Sequence, residues 1–255
     1  MRDTGQTDAP QPSADPRGIE AALDAALAFP TDRIRAHVDG IRRKRPDATP
    51  AEVVQILEKR YLLAVSASGG AVGAAAALPV IGTGTALALT AGQVASFLGA
   101  SSLLALAVAD VHGISTDDRA RRRALLLTAM LGDEGPELLS QQIGLNAVTW
   151  GRTLLTRLPL ATVKAVNKTL RGRIVKTSAA KIGSMMLGRL LPFGIGAAVG
   201  YAGSRVVGGQ MIEGVRAAFG EAPPTFVREV HATFVIDDEI HDALQLDSPD
   251  ERSAP

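Results

Sequence analysis

From Tyr61 to Ala109 the chain runs for 49 residues without a single charge. A helix on the surface of a soluble domain keeps charged residues on its water-facing side. A block this long must therefore be covered on most sides by protein or by lipid. Pro79 and Gly82-Thr83-Gly84 divide it into two apolar arms, about 62–78 and 85–109. Each arm is close to the roughly 17–25 residues that cross a bilayer. Basic residues flank both ends: Arg42, Arg43, Lys44, Arg45, Lys59 and Arg60 before, Arg119 and Arg121 to Arg123 after. The positive-inside rule would place both ends in the cytoplasm. Against a full span, 15 of the 49 residues are Ala and 7 are Gly, and no Trp or Tyr stands at the turn. Alanine adds little insertion energy, whereas Leu, Ile, Phe and Val carry most of it. A transmembrane hairpin, a shallow re-entrant hairpin and a buried hairpin in a soluble bundle all remain open.

The overall formal charge of +1 hides a strong asymmetry. Residues 138–212 hold ten bases and no acid, and residues 213–255 hold ten acids and three bases. Within the basic stretch Lys164, Lys168 and Arg171 share one helix face, with Ala165, Val166, Leu170 and Ile174 as apolar neighbours. Such a helix suits anionic membrane lipid, with Trp150 available as a headgroup anchor or as core. A membrane-protein partner fits the same surface. Nucleic acid is the weaker choice, because aromatic residues for base stacking make up only 4% of the chain and no binding motif is present. The basic stretch would also serve to neutralise the acidic tail within one fold.

Helix signals dominate the rest. Gly18–Phe29 ends at Pro30, and Asp32–Lys44 is closed by Arg45-Pro46. Thr49-Pro50-Ala51-Glu52 has the capping-box spacing that opens a helix. Gly113 suits a helix C-cap, Ser115 to Asp118 a new start, and Gly132 a stop. Breaks follow near Gly144 and Pro159, and a last helix over about 196–219 ends at Gly220. These signals predict an all-α fold, a helical bundle built around the Gly/Ala-rich apolar hairpin. The polar, Pro-rich residues 1–17 lack a signal-peptide core and are expected to be disordered. The helical domain is then 18–220, and 221–255 is an acidic, partly disordered tail. FVREV and TFVID in that tail have strand-like composition, while DEIHDALQ is helical in pattern.

Small residues recur at helical spacing. Gly69, Gly73 and Ala77 form one row, and Gly196, Gly200, Ser204 and Gly208 form another. Rows of this kind let two helix backbones approach closely. The 196–208 face is expected to pack against one arm of the hairpin. The apolar segment 190–204, bracketed by Arg189 and Arg205, is 15 residues long and too short to span.

A search for chemistry finds little. Without Cys there is no disulfide, thiolate metal site or Cys nucleophile. Gly194, Gly196 and Gly200 give a GxGxxxG pattern, but a basic helix precedes it where a dinucleotide fold needs a strand. Neither GxxxxGK[ST] nor GxSxG occurs. Asp237 and Asp238 lie four and three residues before His241, with His231 upstream. Metal binding or acid–base work would use such groups, and so would a solvated acidic face. Asp110 and His112 mark the polar end of the apolar block, and His37 stands alone. No catalytic, cofactor or metal residues are assigned.

The run EKRYLLAVSASGGAVGAAAALPVIGTG, then ADVHGIS, DDRARRRALLLTAMLG and LPFGIGAAVGYAGSRVVGG, resembles the EcsC-like family of bacterial proteins over about residues 50–220. That family is hydrophobic and helical and has no established enzymatic activity. Its name comes from a gene beside an ABC transporter operon. The resemblance implies a non-enzymatic protein at the cytoplasmic membrane, accessory to a transport or envelope process. The alternative is a soluble cytoplasmic module that binds a lipid or other apolar ligand in a Gly-lined core.

Overall fold

In the computed structural model, which describes residues 16–76, 83–114, 117–132, 134–143, 149–189 and 195–227, every regular element is an α-helix. In chain order these are α1 (Pro16–Leu27), α2 (Thr31–Lys44), α3 (Pro50–Ala76), α4 (Thr83–Val111), α5 (Arg119–Met130), α6 (Glu134–Ile143), α7 (Trp150–Thr156), α8 (Leu160–Arg189) and α9 (Ile195–Phe219). The fold is all-α. Helix α1 opens at Pro16, two residues ahead of the start read from the sequence.

Local chemistry sets these boundaries. The Thr49 amide donates to Glu52 at 2.8 Å, and the Glu52 amide donates back to the Thr49 hydroxyl at 3.3 Å. Two of the donors left over at the start of α3 are thereby satisfied. The bonds that its carboxylate accepts from the Thr49 amide and then the Thr49 hydroxyl hold the Glu52 carboxyl below its ordinary pKa. Asp118 caps α5 by accepting from the Arg121 amide at 2.8 Å. At the end of α4, Gly113 takes φ 71°, and the Gly113 and Ile114 amides donate to Asp110 and Ala109 at 2.9 Å. That pair of bonds needs a left-handed residue after the cap, where glycine avoids the Cβ penalty.

The large buried side chains gather in one base. They come from α1, α2, α5, α6, α7, the N-terminal halves of α3 and α8, and the C-terminal halves of α4 and α9. Three arginines that the sequence marks as a basic flank reach protein partners in this base. Arg121 donates to the carbonyls of Leu154 and Leu158, both at 2.8 Å, across the end of α7. Arg122 is 4% exposed and donates to Leu27, Phe29 and Thr31. Arg123 pairs with Asp24 at 2.6 Å.

Beyond the base, α3, α4 and α9 continue as a three-helix prong. Large buried apolar residues stop at Val65 on α3, at Leu98 on α4 and at Met211 on α9. Farther out, the buried positions include Gly69, Gly73, Gly196 and Gly200. Helices α3 and α9 run antiparallel, with Gly208 beside Tyr61, Leu62 and Val65, and Gly196 beside Gly73.

Among the described residues one helical segment, Ala91–Val111, is long and apolar enough to cross a membrane, with a mean hydropathy of 1.8 over its most apolar window. Of that window 56% is buried in the protein, because Leu104 to Ala109 and Val111 belong to the core of the base. The α3 arm is uncharged over residues 61–76, and its continuation through 77–78 lies outside the described residues.

Candidate functional site

The prong is held together by backbone contact. A Cβ on Gly69 would lie 2.5 Å from the Gly200 carbonyl oxygen and 2.6 Å from the Ser204 Cβ. A Cβ on Gly73 would lie 2.7 Å from the Gly196 carbonyl carbon and 3.2 Å from the Ala197 Cα. A Cβ on Gly200 would meet the Gly69 carbonyl carbon at 3.1 Å. Gly208 sits at the looser lower end, where a Cβ would find Leu62 at 3.1 Å and Tyr61 at 3.6 Å. Gly69, Gly73, Gly196, Gly200, Ser204 and Gly208 thus fall along one seam. The facing backbone fills the space that a ligand would need between the two glycine rows.

With glycines inside, the prong presents its side chains outward. Leu63 is 64% exposed, Val206 63%, Tyr201 39% and Val199 38%. Ala64, Ala67, Ala71, Ala74, Ala88, Ala91 and Ala95 are exposed beside them. Between α3 and α4 runs an open groove of about 450 Å³, lined by residues that include Ala71, Val72, Leu89 and Gly92. Two polar side chains here are tied internally: Ser68 donates to the Val65 carbonyl at 2.9 Å, and Gln93 to the Ser204 hydroxyl at 3.4 Å.

Charge returns at the neck. No acid occurs in residues 59–76, 83–109 or 195–212, whereas Lys59, Arg60 and Arg205 do. All three are exposed. Just below, the buried Glu58 carboxylate accepts two bonds from Arg216, at 2.7 and 2.6 Å, joining α3 to α9. Those bonds raise the Arg216 pKa. Tyr61 and Ser101 share a buried hydrogen bond of 2.9 Å between α3 and α4, and burial pushes the Tyr61 phenol up to about 12.

The basic face of α8 is not a row of three free cations. Arg171 pairs with Glu20 of α1 at 2.5 Å, while Lys164 and Lys168 are exposed. Val163, Val166 and Leu170 turn inward, and Ala165 faces out. Trp150 is 2% exposed, which makes it core and removes it as a headgroup anchor. The Arg216–Glu58 clamp and the Arg122 network have no local sequence signal, since each joins distant segments.

Histidine chemistry stays in the base. His112 is buried and stacks on Phe219 at 5.3 Å between centroids. Burial, with a smaller contribution from Arg152, holds its pKa below the ordinary value. His37 is lowered likewise by burial and then by Arg60. Asp110 lies 3.8 Å from Arg35. His231, Asp237, Asp238 and His241, with the strand-like runs of the tail, lie outside the described residues. Among the described residues no three metal-ligating side chains converge. One cavity in the base, of about 10 Å³ beside Arg122 and Asp110, has room for about one water. Compared with known proteins, the chain matches no family model, no curated protein and no solved structure.

Proposed function

We propose that this chain is a non-enzymatic, EcsC-like helical protein that associates with the cytoplasmic membrane through the α3–α4–α9 prong, as an accessory to a transport or envelope process. One observation carries the reading: the prong is packed through glycine and exposes apolar side chains, the inverse of a water-facing bundle. Contiguous apolar surface of this kind marks an interaction site on a soluble protein. Lipid association is the reading that also fits the lack of charge over residues 61–109. Fractionation tests it. The full-length protein is expected in the membrane pellet after a high-salt wash, and recovery in the soluble fraction without detergent would refute the reading.

The α3–α4 groove favours a second reading, a soluble module that carries a lipid or other apolar ligand on the outside of the prong. It predicts a soluble protein from which organic solvent extracts about one lipid per chain.

A further inference from the structure

We infer that the prong enters one leaflet of an anionic bilayer and stops where Arg205 meets the lipid phosphates. The inference rests on the membrane reading above and adds depth and lipid class to it. Helix α9 runs ten residues from Ile195 to Ser204 before its first charge. At 1.5 Å per residue that is about 15 Å. Half of a hydrocarbon core roughly 30 Å thick is also about 15 Å. The described part of α3 lies within the same depth, since Gly69 lies level with Ser204 and Ala76 is seven residues farther on. Helix α4 reaches the Ser204 level at Gln93, whose side chain bonds Ser204.

The rim matches such a depth. Arg205 is exposed, and no ion pair to it occurs among the described residues. Tyr201 lies one helical turn deeper on the same side and is 39% exposed. Tyrosine favours the headgroup boundary, and arginine extends its charge toward water. Lys59 and Arg60 add positive charge below, with no acid on these stretches of the three helices to offset it. Anionic headgroups complement that rim better than neutral ones.

The chain has no cysteine, so Val199→Cys and Val206→Cys each provide one thiol for an environment-sensitive fluorophore. The labelled full-length protein is mixed with phosphatidylcholine vesicles, with and without phosphatidylglycerol. At position 199 the expected result is blue-shifted emission quenched by nitroxides deep in the acyl chain. At position 206 quenching should come from nitroxides near the headgroup. Iodide trapped inside the vesicles should reach neither. Arg205→Ala should weaken binding to the anionic vesicles about fivefold, and Arg205→Lys should restore it. Quenching of position 199 by trapped iodide would mean a full span and overturn the inference. So would vesicle binding with neither probe entering lipid, unchanged affinity of Arg205→Ala, or a lipid-free dimer that shields position 199. Failure to bind any vesicle would instead defeat the membrane reading itself.

Discussion

Arg122 shows how a charged side chain becomes an internal strut. Its guanidinium donates to the carbonyls of Leu27 at 3.3 Å and Phe29 at 2.5 Å, to the Thr31 hydroxyl at 2.6 Å and to Asp117 at 3.2 Å. The last carbonyls of a helix have no partner within it, so the arginine supplies donors to the end of α1 and to the link into α2. Desolvation works against its charge and lowers its pKa, offset in part by Asp117. Replacing Arg122 with Met fills similar space but leaves buried carbonyls unpaired. The expected loss is about 3 kcal/mol of unfolding free energy, read as a lower urea midpoint. By the same reasoning Arg123, paired with a largely exposed Asp24, contributes well under 1 kcal/mol.

At the scale of the element, the α3–α9 seam decides whether the prong exists. Gly200→Leu would drive a side chain into the Gly69 carbonyl group. Backbone does not yield as a rotamer does, so the seam must open. Overpacking of this type costs about 1–3 kcal/mol or more. The expected outcome is a lower melting temperature and loss of the protein from its native fraction, while Gly209→Leu, where a Cβ meets open space, should change little. Helix identities and ends are legible in the sequence, because Pro30, Thr49, Gly113, Gly132, Pro159 and Gly220 act through local geometry. The glycine rows are legible as faces. Their pairing is readable only as an expectation, since spacing identifies a smooth face without naming what lies against it. The hairpin is harder. Hydropathy cannot distinguish Leu106, whose apolar surface is covered by the base, from Leu63, whose surface is left bare. The flanking arginines are opaque for a related reason: positive-inside logic counts charges and does not see the carbonyls they reach.

The whole molecule divides its tasks between base and prong. Its pH response belongs to the base, where His112 and His37 both have pKa values below the ordinary 6.5. A histidine depressed in the folded state binds its proton more readily when unfolded. Stability is therefore retained above about pH 6.5 and falls as pH drops through the folded-state values. His112→Phe keeps a ring against Phe219 and removes one of the two titrations. The urea midpoint of that variant should fall less steeply between pH 7 and pH 5 than that of the parent. An identical slope would show that His112 is not coupled to folding. The seam also has a consequence in time. The Glu58–Arg216 clamp joins residues 158 apart in the chain. At roughly 5–20 residues per second, a ribosome needs about 8–30 s to make the α9 end of that clamp after the α3 end. Once α4 is complete at Val111, 105 of those residues are still to come, and over that part of the interval α3 holds its glycine face bare; a nascent chain in that condition needs a membrane or a chaperone to cover it until α9 arrives.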